Sequence, residues 1–370
     1  QSEGPWGVSD KVFNYTVFNS GSLSKYILRK VPYDFEYADI QAGIGTPHAV
    51  YAEFTADETL LVRAEAQALL GHYAEALDDL NTEFWMGNYK AMYEKAEEMD
   101  VEIVEVIAGG DANKQNEQIA DLIAKGCQVI IIAAVDSASI ISAIEECADA
   151  GVKTIMDNRS CPDGNPDATV VADNEQIAYD EMTWLIDYAQ RQGITFNNAV
   201  MLIGDLGDEN AVQRYNGFTK AIEETPGVVN VCVEIPTEWD QQVALTGLQN
   251  ALQSNPDIDL IITPSDFLWT PIQSALEQAG KWAKIGEENH VAVISFDGDV
   301  NGMQMMKDGY NWANGAQGAV EEGHMCIEIA VKYLNGEDVE QSEMIDPGVV
   351  CNLENFEETR DLVWGWAGVK

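Results

Sequence analysis

The sequence predicts an α/β protein: two doubly wound parallel-sheet lobes joined by a hinge, preceded by an extra, partly helical N-terminal segment. Three observations carry this expectation. From about residue 100 onward, short β-branched runs alternate with amphipathic stretches, the pattern of strands covered by helices on both faces. The strands so counted are too many for one ordinary open sheet, and a long last helix returns late, so the chain is expected to cross between two sheets. Residues 1–80 do not share the alternation.

The elements follow in order. The β-branched residues Val101, Ile103, Val104, Val106 and Ile107 make residues 101–107 read as a strand, and residues 115–125 place Ile119, Leu122 and Ile123 on one helical face before Gly126 stops the helix. Residues 129–132, Val followed by three Ile, predict a fully buried strand. A helix is expected over 137–150, carrying Ile140, Ile141 and Ile144 and ended by Gly151, with a strand over 152–156 after it. After an acidic loop at 161–167 the same beat predicts strands at 169–172, 199–203, 228–235, 260–263 and 291–296. Helices are expected between and after them at about 175–192, 210–224, 241–254, 269–280 and 318–335. Within residues 57–80 the apolar spacing reads as one helix-turn-helix, and a single copy of such a unit should not fold alone. No run in residues 1–80 is as apolar as the buried strands; Ala49 to Ala52 comes nearest.

Composition narrows the function. The 63 Asp and Glu against 20 Lys and Arg give a formal charge of −43, which repels nucleic acid and anionic lipid and leaves an uncharged or cationic ligand. No stretch reaches the roughly 18 to 20 apolar residues of a membrane span, and the chain starts at Gln1 without a signal segment, so a processed soluble form is expected. The six cysteines are scattered with no C-x-x-C, and the four histidines have no ligand spacing. Neither a disulfide framework, a metal nor a cofactor is expected.

From Asn81 to Gly336 a set of short stretches recurs in order: Asn81 to Trp85, Asn113 to Gln115, Ala134 to Ser137, Asn158 to Ser160, Trp239-Asp240, Ser265-Asp266, Phe296 to Gly298 and Ala316-Gln317. In this it resembles the type I periplasmic binding proteins, specifically the ribose and galactose class of sugar-binding components of ABC importers. The resemblance implies lobes of 81–176 with 318–345 and of 177–317 with 346–370, and a ligand held between them. Residues 1–80 resemble a fragment of a SusD-like glycan-binding lipoprotein, on Phe35 to Tyr37, Gly43 to His48, Phe54 to Leu61 and Arg63 to Ala66.

A sugar presents weakly apolar faces and a rim of hydroxyls that both donate and accept, so its site needs flat aromatic rings with planar polar groups at the edge. At the predicted strand ends the chain places such groups. The resemblance points to Thr82, Phe84 and Trp85, with one of the two rings stacking and the other free to pack inward, and to Trp239 as a second stacking residue. It adds Asp136, which could equally cap a helix, and Asp157, Asn158 and Arg159 after a strand; Asp157 fits either the last strand position or the ligand position. Asn210 and Arg214 lie one helical turn apart, with Arg214 as well suited to a structural ion pair as to ligand contact. Some relatives carry a binding Arg where Val212 stands, a departure that argues against plain ribose. Ser265, Asp266, Asp297 and Gln317 complete the set; Asp297 could instead cap the next helix, a task Asp299 could also perform.

The expected function is reversible capture of a monosaccharide between closing lobes, with delivery to an ABC transporter membrane permease. The protein is expected to be a bacterial, extracytoplasmic monomer, periplasmic or a cell-surface lipoprotein. Catalysis is not expected, since the chain has no G-x-S-x-G, P-loop or dinucleotide fingerprint. A sugar- or signal-sensing protein that feeds a receptor, or a surface glycan-binding protein, would share most of these features.

Overall fold

The computed structural model describes residues 82–339 and 343–369. The readings of residues 1–80, the helix-turn-helix and the SusD-like fragment among them, lie outside these residues. In chain order the elements are α1 (Glu83–Glu98), α2 (Ala112–Lys125), β1 (Val129–Ile132), α3 (Ile141–Ala150), β2 (Lys153–Asp157), β3 (Ala168–Ala172), α4 (Asn174–Gln192), β4 (Phe196–Ile203), α5 (Glu209–Glu224) and β5 (Val229–Pro236). There follow α6 (Gln241–Ser254), β6 (Leu260–Ile262), α7 (Trp269–Gln278), β7 (Ala292–Asp297), α8 (Val300–Asp308), β8 (Ala313–Ala316), α9 (Ala319–Leu334), β9 (Glu343–Asp346) and β10 (Val349–Asn352).

The strands form two sheets. The first has the order β1-β2-β3-β9 and is parallel throughout; the second has the order β10-β8-β7-β6-β4-β5 and is parallel except at β10. Each is covered on both faces, which is why its strands read as continuous apolar runs. On the first sheet, Ile119 and Leu122 of α2 and Ile144 and Cys147 of α3 pack with Ile130 and Ile132, while Met92 and Ala96 of α1 and Cys326 and Ile327 of α9 pack with Ile155 and Val170. On the second, Met182 and Leu185 of α4 and Phe218 of α5 meet Met201 and Ile294 on one side. Leu248 of α6 and Ile272 of α7 meet Val200 and Ile261 on the other.

Among the described residues the chain passes between the lobes three times, from β3 to α4, from β8 to α9 and from β9 to β10. One residue gathers all three passages. Asp346 accepts from the Gly318 N–H at 2.6 Å and the Gly348 N–H at 3.0 Å through its carboxylate, and from the Asp173 N–H at 2.9 Å through its carbonyl. After β10 a tail ends in a 3₁₀ turn at Trp364–Gly368 and buries Val363 and Trp366 against Met303 and Met306 of α8.

Three expectations need correction. Residues 101–107 are not a strand: Val101 and Ile103 pack half-buried on the first lobe, Val104 and Val106 stay exposed, and no strand among the described residues pairs with them. A β-branched run shows a preference for extended backbone, whereas a strand also requires a neighbour to bond to. The helix expected from Ser137 starts at Ile141, because the Asp136 carboxylate accepts from the Ala138 and Ser139 N–H groups at 3.1 and 2.6 Å and holds a turn ahead of it. Strands β9 and β10, at the second end of the hinge, carry no pattern strong enough to predict them.

Candidate functional site

The carboxyl ends of β2, β4, β5, β6 and β7 all feed loops that meet at the boundary between the lobes, where a ligand crevice is expected as parallel strands exit. From the first lobe comes Asn158, at φ 60, a left-handed conformation that Asn tolerates better than most. Its amide donates to Gln317 Oε1 at 2.8 Å and Glu322 Oε2 at 3.0 Å, and its carbonyl accepts from Asn210 Nδ2 at 2.9 Å. Gln317 in turn donates to Asp297 Oδ1 at 2.8 Å. The chain of amides therefore runs from the first lobe to the last carboxylate of β7 without a break.

Asp297, at φ 109, is the centre of the second lobe's share. It accepts from Arg214 Nη1 at 2.9 Å and from Ser265 Oγ at 2.6 Å, and Arg214 is further held by Asn174 Oδ1, the Pro264 carbonyl and the face of Phe296 at 4.1 Å. Burial pushes the Asp297 carboxyl up despite the opposing pull of Arg214. Asp299 is the residue that caps α8, through the Gly302 N–H, so Asp297 is not the cap and its carboxylate serves Arg214, Ser265 and Gln317. Arg214 is thus held in a buried ion pair with Asp297.

The second ion pair spans the lobes. Arg159 meets Asp208 at 3.0 Å, donates to the Ala134 carbonyl at 2.8 Å and lies over the ring of Trp85 at 5.5 Å. Asp208 also accepts from Trp239 Nε1 at 3.1 Å. The Trp239 indole lies so close to the backbone that a Cβ at Gly204 would come within 2.2 Å of it, so only glycine fits there. Both Trp239 and its neighbour Glu238 hold positive φ. Six non-glycine residues among those described do so, and three of them are Asn158, Trp239 and Asp297, a concentration of backbone strain expected at a functional site.

The remaining candidates are placed as follows. Phe84 is buried and faces inward while Trp85 is half-buried beside Arg159, so the adjacent rings divide packing from presentation. Thr82 lies immediately before α1. Asp136 sits at the crevice, its second oxygen against Gly207 of the other lobe, where Ser137 N–H also donates to the Gly207 carbonyl. Asp157 and Asp266 are not brought into the network. Asp157 ends β2 and turns to Asn88 and Cys326, burial pushing its carboxyl up to about 6. Asp266 accepts from Ser295, Asn314 and Trp269 inside the second lobe, and burial raises it to about 7. Asp208 and Glu322 went unnoticed in the sequence. Asp208 caps α5, the one signal that marked it.

Each of the two arginines is matched by one carboxylate, so neither presents an unneutralised positive charge to a guest, and the site mixes donors, acceptors and two indoles. Arg159 Nε and Glu322 Oε1 are buried with no hydrogen-bond partner among the described residues. Such groups cost free energy unless a guest supplies the missing bonds.

Residues 76–338 match a family described as the periplasmic binding protein domain. The ribose import binding protein of Bacillus subtilis is 24% identical over 267 residues, 72% of this chain and 83% of that protein. The D-allose-binding periplasmic protein of Escherichia coli is 26% identical over 285 residues, 74% and 86% of the two chains. Among solved structures, a solute-binding protein of an ABC transporter from Bacillus halodurans with bound myo-inositol superposes with TM-score 0.67 at 27% identity, covering 75% of this chain and 93% of that one. The match in sequence and the two doubly wound lobes whose strand ends face one another agree: the chain belongs to the periplasmic binding protein domain family.

Proposed function

We propose that this protein is the substrate-binding component of an ABC sugar importer and captures one uncharged monosaccharide or cyclic polyol in the crevice. The observation that carries the reading is the crevice chemistry: two internally neutralised ion pairs, a run of amides and the indoles of Trp85 and Trp239, with buried polar atoms left to bond a guest. Hydroxyls of the guest would accept from Arg159 and donate to Asp297 and Asp208, while its apolar faces lie on the rings. The names of the relatives, which include ribose- and allose-binding proteins, support the same class of ligand.

The lobes move as 81–176 with 318–345 against 177–317 with 346–370, and the free energy of contacts made only on closing selects the closed form. The closed protein, an extracytoplasmic monomer held in the periplasm or by a lipid anchor, then docks on a membrane permease. It performs no chemistry on the sugar. Among the described residues no helix is long and apolar enough to cross a membrane.

Calorimetric titration with D-ribose, D-allose, D-xylose, myo-inositol and maltoheptaose tests the reading. One of the four small ligands should bind at micromolar or lower Kd and be recovered unchanged. Binding of maltoheptaose alone, conversion of a sugar, or no binding to any would overturn it.

A further inference from the structure

The tail after β10 lies beyond the matched family segment, which ends at residue 338. Its own anchoring uses Val363 and Trp366, both buried against α8. Trp364 is left over, half-exposed between them, and it reaches the other lobe. Its ring stands edge-on to Phe84 with centroids 6.3 Å apart, and a Cβ at Gly87 would lie 2.8 Å from it, so the indole rests on bare backbone of α1. Its N–H meanwhile donates to the Asp297 carbonyl at 3.2 Å. The Gly365 N–H donates to the Gly298 carbonyl at 3.1 Å and seats the tail on the same turn.

One side chain therefore touches the helix that presents Trp85 and the residue whose carboxylate takes Arg214, Ser265 and Gln317. Helix α1 packs on the first lobe and Asp297 belongs to the second, so this contact spans the two lobes. We propose that Trp364 is a positioning residue of the sugar site: it wedges between α1 and the Asp297 turn, and so ties lobe closure to the seating of both the stacking ring and the hydroxyl acceptor. The proposal rests on the sugar-binding reading above.

The test uses the full chain and the small ligand among D-ribose, D-allose, D-xylose and myo-inositol that the parent binds most tightly. Trp364→Ala should weaken its binding about tenfold, mainly through faster dissociation, as loss of a closed-state contact requires. Trp364→Phe, which keeps the ring and loses the N–H, should recover most of that loss. Gly87→Ala, which pushes the ring away, should weaken binding with Trp364 intact, and the double variant Gly87→Ala with Trp364→Ala should be no worse than Trp364→Ala alone. Thermal unfolding without ligand checks that every variant is folded. Parental affinity in Trp364→Ala, or additive losses in the double variant, would overturn the proposal while leaving the sugar reading in place. A parent that binds none of the four overturns both.

Discussion

Asp157 and Asp297 show how differently two carboxylates at strand ends can be used. Both end a strand and both are buried, yet Asp297 faces the crevice and Asp157 turns to Asn88 and Cys326. The sequence left Asp157 undecided between these roles, because a residue type says what a group can do and one extra residue in the loop decides where it points. Asp208 was harder still, since one acid among 63 Asp and Glu does not stand out. A pH dependence belongs to Asp157. Its carboxyl is raised to about 6 by burial, so the native state holds that proton more tightly than the unfolded chain, and the contribution of Asp157 to stability falls as pH rises from about 4 to 6 and is constant above. Asp157→Asn has no proton to lose. Its stability relative to the parent should therefore rise across that window by up to about 3 kcal/mol, two pKa units' worth, in urea titrations at pH 4, 5, 6 and 7. A gap that does not change with pH would contradict this.

At the scale of elements, periodic stretches buried on both faces were legible, and elements that depend on a neighbour were not. Residues 129–132 were legible as a strand, but not a fully buried one: only Ile130 and Ile132 are buried, while Val129 and Ile131 stay partly exposed in a strand at the edge of its sheet; β9 and β10 are strands because β3 and β8 lie beside them. The same dependence, with the opposite outcome, explains residues 101–107. Helix starts are local and can be tested singly. The Asp240 carboxylate accepts from the Gln242 and Val243 N–H groups at 2.7 and 2.9 Å, and the Asp240 N–H donates to the Thr237 carbonyl across the turn that carries Trp239. Asp240→Ala should lower stability by about 1 kcal/mol, read as a shift in the urea midpoint. An unchanged midpoint would mean that the cap contributes nothing to α6.

For the whole molecule, two lobes with a crevice could be anticipated from the count of strands and the late return of α9, while the way the lobes are tied could not, because it rests on a single carboxylate among many. Asp346→Ala would release the Gly318 and Gly348 N–H groups together. We expect a larger radius of gyration by X-ray scattering without sugar and weaker binding in proportion to the loss of closed population. Unaltered scattering and affinity would show that the passages hold without it. With three strands of chain knotted at one point, the easiest movement left to the lobes is a swing, like covers about a spine. In such a swing what lies beside the spine would travel little, so Gln317 would keep its grip on Asp297. The bridges from Arg159 to Asp208 and from Asn158 to Asn210, being shared between the covers, would part on opening and be remade on capture.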